Sequence, residues 1–397
     1  MSTYHVAFIS FPHFGHVNAT LPIVSTLVRR GIRVTYVTSE PYLSRVNALG
    51  AEGIGCQRFS HVGRSELPPD EVELYETSVC KLAEKTLSLT RDFYRHDVPD
   101  LIVYDILALA GKVLSHELRV PAIRTSPFPA FESRFLNLQM RSARLREWAI
   151  KYSALGENFL ARHGVEIRNY IFHREPLNIL LAPRELDPAS ESLDPSCVYA
   201  GRCPTEQVAF GNWNPSKGMT KPVVLIAEST TRRLGVEFFK TCIEALRVLD
   251  LHVIMAVRKD LNVAALGELP DRFEIAQGNS ATRILPFCDV LIFMGGSSSA
   301  AEAAYYGVRL VLTPQGDPEN TGNAEHLEQM GVGIHIKHHE FNQSTLRQAV
   351  QLAMSDLNIK SAIDRWQASI RRQPGAEEIA NLIEDHLSQS KPPITSQ

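Results

Sequence analysis

"HVAFISFPHFGHVNATL", residues 5–21, joins two periodicities and puts two histidines at the junction. The apolar run from Val6 to Phe11 reads as a buried strand. A turn holding Pro12 and Gly15 ends it, and Leu21, Val24, Leu27 and Val28 then recur on one face of a helix. A strand that stops at such a turn and feeds a helix aims its turn residues out of the sheet's C-terminal edge. Open α/β sheets bind their ligands at that edge. His13 and His16 therefore stand where a ligand is expected.

The rhythm repeats along the chain. "RVTYVTS" (33–39) runs into "PYLSRVNALG", a helical stretch covers Asp70 to Arg95, "DLIVYD" (100–105) runs into "LALAGKVLSHEL", and "PAIRTS" (121–126) follows. From Phe128 to Asn178 the pattern is helical and rich in aromatics, which reads as a satellite helical subdomain. "GRCPTEQVAFGNWNPSKGMTKP" (201–222) is turn-rich and poorly periodic. Five more strand candidates come after it: "PVVLIAES", "HVIMAVR", "RFEIAQG", "DVLIFMGG" and "RLVLTPQG". Short β-rich runs alternating with helices predict an α/β protein with two doubly wound parallel sheets. The expected division is an N-terminal domain over 1–205, a linker over 206–221, a second domain over 222–375, and a C-terminal helix with a disordered tail over 376–397.

Composition narrows the function. The chain has 397 residues, 44% hydrophobic and 21% charged, with a formal net charge of -3 and basic residues scattered among acids. A nucleic-acid partner, which needs a net basic face, is not expected. The six cysteines form no CxxC pair, which points to reduced thiols in a cytoplasmic protein rather than disulfides or zinc. No apolar stretch is long enough to span a bilayer, so no membrane partner is expected. His338, His339 and Glu340 lie in a polar stretch with no third ligand at useful spacing, and no metal site is expected.

With "GHVN" after the first strand, "PDLIVYD" near residue 105 and "GNAEHLEQMGVG" late in the chain, the sequence resembles the inverting UDP-glycosyltransferase superfamily, on its bacterial macrolide and natural-product side. The resemblance spans essentially the whole chain. It implies the GT-B fold, with two Rossmann-like domains facing each other across a cleft. It also implies His16 as the general base for the acceptor hydroxyl, with Asp105 orienting it. An alcohol is a poor nucleophile until a neutral imidazole takes its proton. A carboxylate on the other ring nitrogen fixes the tautomer and stabilises the imidazolium, and a helix N-terminus favours the neutral ring. The competing reading is that His16 only caps the helix and Asp105 only ends a strand. An acceptor pocket is expected among His13, at its rim, and Phe11, Phe14, Phe128, Phe131 and Phe135, with at least half of these phenylalanines serving as core.

On the donor side the resemblance implies no required cofactor and a UDP- or dTDP-sugar as donor substrate. Ser229 is retained beside the diphosphate. Gly295, Gly296, Ser297, Ser298 and Ser299 could form an anion-binding turn or merely pack a helix closely. Glu302 matches the ribose-binding acid, and the acidic-Gln pair that holds the sugar hydroxyls reads Glu319 and Asn320, shifted in a loop, "GDPENTGN", that carries one extra residue. Four positions depart from the family's pattern. The base-stacking Trp and the Gln three residues on read Gly278 and Ala281, the diphosphate His reads Met294, and Glu228 replaces a Gly. If Glu228 points inward, its carboxylate repels a diphosphate.

Three readings follow. The first is an inverting glycosyltransferase acting on a hydroxyl of a hydrophobic, polyketide-like small molecule, as in natural-product or antibiotic biosynthesis, working as a monomer or homodimer. The second is a descendant that uses His16 and Asp105 for donor-free elimination, isomerisation or cyclisation. The third is a non-catalytic binding or partner protein.

Overall fold

Apolar strands buried on both faces form two parallel sheets, which need helices on both sides. The structure, a computed structural model, describes residues 4–56, 69–127, 143–187, 190–201, 211–215, 220–228, 233–278 and 281–390. The chain packs into two units, one of Met1–Cys203 with Gln373–Gln397 and one of Pro204–Arg372.

In the first unit β1 (His5–Ile9) leads into α1 (Phe14–Arg29), β2 (Arg33–Ser39) into α2 (Glu40–Ala48), and β3 (Glu52–Cys56) precedes α3 (Pro69–His96). Then come β4 (Leu101–Asp105), α4 (Leu109–Leu118), β5 (Ala122–Ser126), α5 (Ala143–Arg162), β6 (Asn178–Leu180) and β7 (Cys197–Tyr199). The seven strands run in the order β3-β2-β1-β4-β5-β6-β7, with every neighbouring pair parallel. Ala7, Ile9, Ile102 and Tyr104 meet Val113, Leu114, Phe159 and Tyr170 in its core.

The second unit runs β8 (Val223–Ala227), α6 (Val236–Leu246), β9 (His252–Ala256), β10 (Phe273–Ile275), α7 (Ala281–Ile284), β11 (Val290–Phe293), α8 (Ser297–Tyr306) and β12 (Arg309–Leu312). It continues through α9 (Pro318–Gln329), β13 (Gly333–His335), α10 (Gln343–Ser355) and α11 (Leu357–Ile370). Its parallel order is β10-β9-β8-β11-β12-β13. The final helix, α12 (Ala376–Ser390), belongs to the first unit, where Arg29 and Arg30 of α1 bind Glu377 and Arg30 also binds Glu384.

The expected α/β class with two doubly wound sheets is the architecture found. Four short strands, β3, β6, β7 and β13, come in addition to the strand candidates of the sequence. The described part of the stretch between Phe128 and Asn178 holds α5; residues 128–142 lie outside the described residues, as do 206–210 and 216–219 of the expected linker and 391–397 of the expected tail. Within that linker Trp213 is buried against the second unit: its indole N–H donates to Glu274 and its carbonyl accepts from Arg283 Nε at 2.6 Å. No helix among the described residues is long and apolar enough to cross a membrane.

Candidate active site

Each sheet has one place where the strand order reverses, between β1 and β4 in the first and between β8 and β11 in the second. Loops leaving adjacent strands there diverge to opposite faces and open a crevice at the C-terminal edge. In the first sheet Ile9 pairs with Tyr104, so the residues just beyond β1 are level with Asp105, the last of β4. Helix α1 begins at Phe14 with extended His13 before it, and His16 falls in its first turn. Register and turn together bring His16 Nδ1 to 2.8 Å from Asp105 Oδ2, across 89 residues of sequence. Both are nearly buried, at 5% and 3% exposure.

This geometry goes beyond capping, because the imidazole spends Nδ1 on a carboxylate rather than on the helix's own amides. Asp105 is itself fixed: its Oδ1 accepts from Leu107 N–H at 2.8 Å. Its neighbours are tied down as well. Tyr104 donates to Glu175 at 2.7 Å, and Tyr170 donates to the Ile106 carbonyl at 2.9 Å. Burial costs the Glu175 carboxylate, but hydrogen bonds from His173, Lys112 and Tyr104 outweigh it and hold the group down at about 2. One turn past His16, Thr20 bonds the hydroxyl of Tyr36 at 2.6 Å. An imidazole oriented this rigidly, with Asp105 accepting from Nδ1–H, carries its basic lone pair on Nε2.

Aromatic rings border the pair. Phe11 lies 5.1 Å from the His16 ring and is core, at 2% exposure. His13 stands edge-on to His16 at 5.8 Å and is half-buried. Phe14, also half-buried, carries the Arg45 guanidinium over its face at 5.7 Å. Phe128, Phe131 and Phe135 lie outside the described residues.

At the second reversal, β11 ends in the Gly295-Gly296 turn and α8 starts at Ser297. Gly295 has φ +98, and a Cβ there would stand 2.9 Å from the Asn320 carbonyl, so only glycine allows α9 this close. Gly296 has open space where its Cβ would be. The turn thus both packs closely, at Gly295, and leaves room before a helix N-terminus, at Gly296. Ser297, Ser298 and Ser299 are half-buried in the first turn of α8. The same packing sets Glu319 and Asn320, in the first turn of α9, beside the glycine turn; the Asn320 N–H is capped by Asp317 at 2.9 Å. Glu302 on α8 is 6% exposed and accepts from Thr282 of α7 at 2.7 Å.

Met294, at 2% exposure, belongs to the hydrophobic core of the unit. The Glu228 carboxylate is held by groups of its own unit. It accepts from Leu234 N–H at 2.7 Å and Arg258 N–H at 3.2 Å, and is ion-paired with the Arg258 guanidinium. Arg258 is not among the candidates that the sequence singles out. Its signal is a cation directly beyond an apolar strand, "HVIMAVR", one residue past the position level with the acid that follows the neighbouring strand. Ser229 lies outside the described residues. His338, His339 and Glu340 form an exposed turn, and among the described residues no cluster of three or more His, Cys, Asp or Glu could hold a metal.

Known proteins share this architecture. Residues 240–386 match the family described as erythromycin biosynthesis protein CIII-like, C-terminal domain. NDP-glycosyltransferase YjiC of Bacillus subtilis is 31% identical over 99% of this chain and 100% of its own length. The oleandomycin glycosyltransferase of Streptomyces antibioticus is 27% identical over 96% of this chain and 91% of its own. The crystal structure of CalG4, the calicheamicin glycosyltransferase, superposes with a TM-score of 0.81 at 25% identity, covering 99% of this chain and all of that one. With two parallel-sheet Rossmann-like units of the GT-B type and a full-length relative at 31% identity, the chain belongs to the UDP-glycosyltransferase superfamily and is a glycosyltransferase.

Proposed function

We propose that the protein transfers a sugar, with inversion, from a nucleotide-diphosphate sugar to a hydroxyl of a hydrophobic natural-product molecule, using His16 as general base. The observation that carries this reading is the buried His16–Asp105 hydrogen bond at 2.8 Å. His16 Nε2 takes the hydroxyl proton as the acceptor oxygen bonds to the anomeric carbon and the bond from that carbon to the diphosphate oxygen breaks. The nucleoside diphosphate leaves, and Asp105 stabilises the imidazolium. Half-buried Phe14 and His13 suit an apolar acceptor with a polar rim.

For the donor, the N–H groups of α8's first turn and the positive end of its dipole face the open space at Gly296, which suits a diphosphate. Glu302 and the Glu319–Asn320 pair supply acceptors and donors for ribose and sugar hydroxyls. Glu228, the departure that weighs most against a diphosphate, is neutralised by Arg258, which favours donor use over donor-free chemistry.

The test pairs UDP- and dTDP-sugars with a panel of phenolic and polyketide acceptors. The reading requires a product of inverted anomeric configuration by NMR. It also requires that His16→Ala lose about 10²–10⁴-fold in turnover while binding UDP or dTDP within twofold of wild type. A His16→Ala enzyme that keeps most of its rate removes His16 as the base. Conversion of an acceptor at a rate indifferent to added nucleotide sugar removes the donor half.

A further inference from the structure

Two departures from the family's donor pattern, Glu228 and Gly278, converge on one loop. Residues 257–261, "VRKDL", leave β9 at the C-terminal edge of the second sheet, between the ends of β8 and β10. On the β8 side Arg258 pairs with Glu228, and its Nε also meets Asp260 at 2.9 Å. Asp260 is further bound by Arg233 at 3.1 Å. Two carboxylates and two guanidiniums thus compensate one another.

On the β10 side the Gln277 amide donates to the carbonyls of Lys259 at 2.9 Å and Leu261 at 3.1 Å, and Gly278 N–H donates to the Val257 carbonyl at 2.7 Å. This pins the loop against the end of β10. Gly278 has φ +71, and a Cβ there would lie 2.6 Å from Lys259 Cγ and 2.8 Å from Cε. The aliphatic stem of Lys259 therefore lies along the bare backbone of Gly278, filling the space a side chain would take. Lys259 is exposed, and among the described residues its ammonium has no ion pair or hydrogen bond. It is the uncompensated cation of this loop.

The position of this cation follows from the sheet. Strands lie about 4.8 Å apart, and β9 is two strands from β11. With a diphosphate at the N-terminus of α8 and a ribose at the Glu302–Thr282 pair, the nucleoside runs toward α7 and the end of β10. Its base then arrives over Gly278, against the stem of Lys259. We infer that Lys259 is the base-reading residue of the donor site, its stem forming a wall of the base seat and its ammonium donating to a ring carbonyl of the base. Uracil and thymine offer O4 and guanine O6 in this role, whereas adenine presents an amino donor that an ammonium repels. The inference rests on the proposed donor reading and specifies the nucleotide that reading takes.

The experiment is calorimetric titration of the full chain with UDP, dTDP and ADP, for wild type, Lys259→Met and Glu302→Gln. Lys259→Met keeps the stem over Gly278 and removes the charge, and since the side chain is exposed its thermal unfolding serves as a folding control. The expected result is UDP or dTDP binding weakened about 10-fold in Lys259→Met, with the preference over ADP collapsing toward unity. Selectivity is the readout that a merely structural lysine would not move. If Lys259→Met binds UDP and discriminates against ADP as wild type does, while Glu302→Gln binds more weakly, Lys259 is overturned and the donor site stands. If wild type binds none of the three nucleotides, the donor reading and the inference both fall.

Discussion

The two strand-order reversals are built on opposite plans. Between β1 and β4 two buried polar side chains are wired together, His16 to Asp105, with Asp105 also held by the Leu107 N–H, over a framework of buried tyrosines. Between β8 and β11 two of the side chains that depart from the family's donor pattern have withdrawn. Met294 is in the core, and Glu228 is turned to Arg258. Beside them stand a glycine turn and the first amides of α8. Proton transfer needs a particular atom with a particular basicity, so it ties the chain to specific residues. Anion binding needs only oriented N–H groups, which many sequences supply.

That contrast can be broken at either end. The largest effect expected is at the first reversal. Asp105→Asn should cut kcat by about 10²–10⁴-fold, because an amide no longer stabilises the imidazolium or selects its tautomer. Donor affinity should hold within twofold, so steady-state kinetics beside nucleotide titration separates the two sites, and a parallel loss of donor affinity would contradict the division. At the second reversal Gly295→Ala should destabilise the fold by about 1–3 kcal/mol, since its Cβ would press on the Asn320 backbone and its φ is unfavourable for alanine. Urea unfolding reads this, and an unchanged midpoint would mean that α9 yields freely.

Arg258→Met leaves a carboxylate that is 4% exposed without its counterion. A loss of about 2 kcal/mol is expected, less than for a fully buried pair because the guanidinium is partly solvated. The double variant Glu228→Gln, Arg258→Met should recover much of it, and a double mutant as unstable as the single would show that the pair's charge is not the issue.

The smallest effect concerns the framework under Asp105. Glu175 ionises at about 2 in the fold against 4.5 unfolded, so its contribution is fully present above about pH 4.5 and is lost as pH falls toward 2. Stability of wild type should drop across that window by on the order of 2 kcal/mol more than that of Glu175→Gln. Identical pH profiles would remove the ionised Glu175 from the framework.

How legible this was in the sequence follows the same physics. Long apolar runs closed by turns, such as "HVAFISF" and "DVLIFMGG", announce central strands because both faces are buried. "EGIGC", "NIL", "CVY" and "GIH" do not: three to five residues, some half-exposed, carry too little periodicity to read. His16 and Asp105 could be paired in advance because each follows a legible strand and the resemblance named both. The direction of Glu228 could not, because it is decided by Arg258, 30 residues on and brought alongside only when β8 and β9 pair. Phe11 looks like a pocket wall in one dimension and is core in three.

The return of α12 to the first unit has a consequence for biosynthesis. Helix α1, which carries His16, is held on its outer side by Glu377 and Glu384 of α12. Those residues leave the ribosome only after the whole of Pro204–Arg372. At roughly 5–20 residues per second, that interval is on the order of 10–30 s. Throughout it the first unit waits with one flank of α1 uncovered while the second unit is made. The later unit can therefore finish folding before the earlier one, and a nascent chain stalled near residue 372 would present Arg29 and Arg30 as a bare basic face to whatever chaperone meets it.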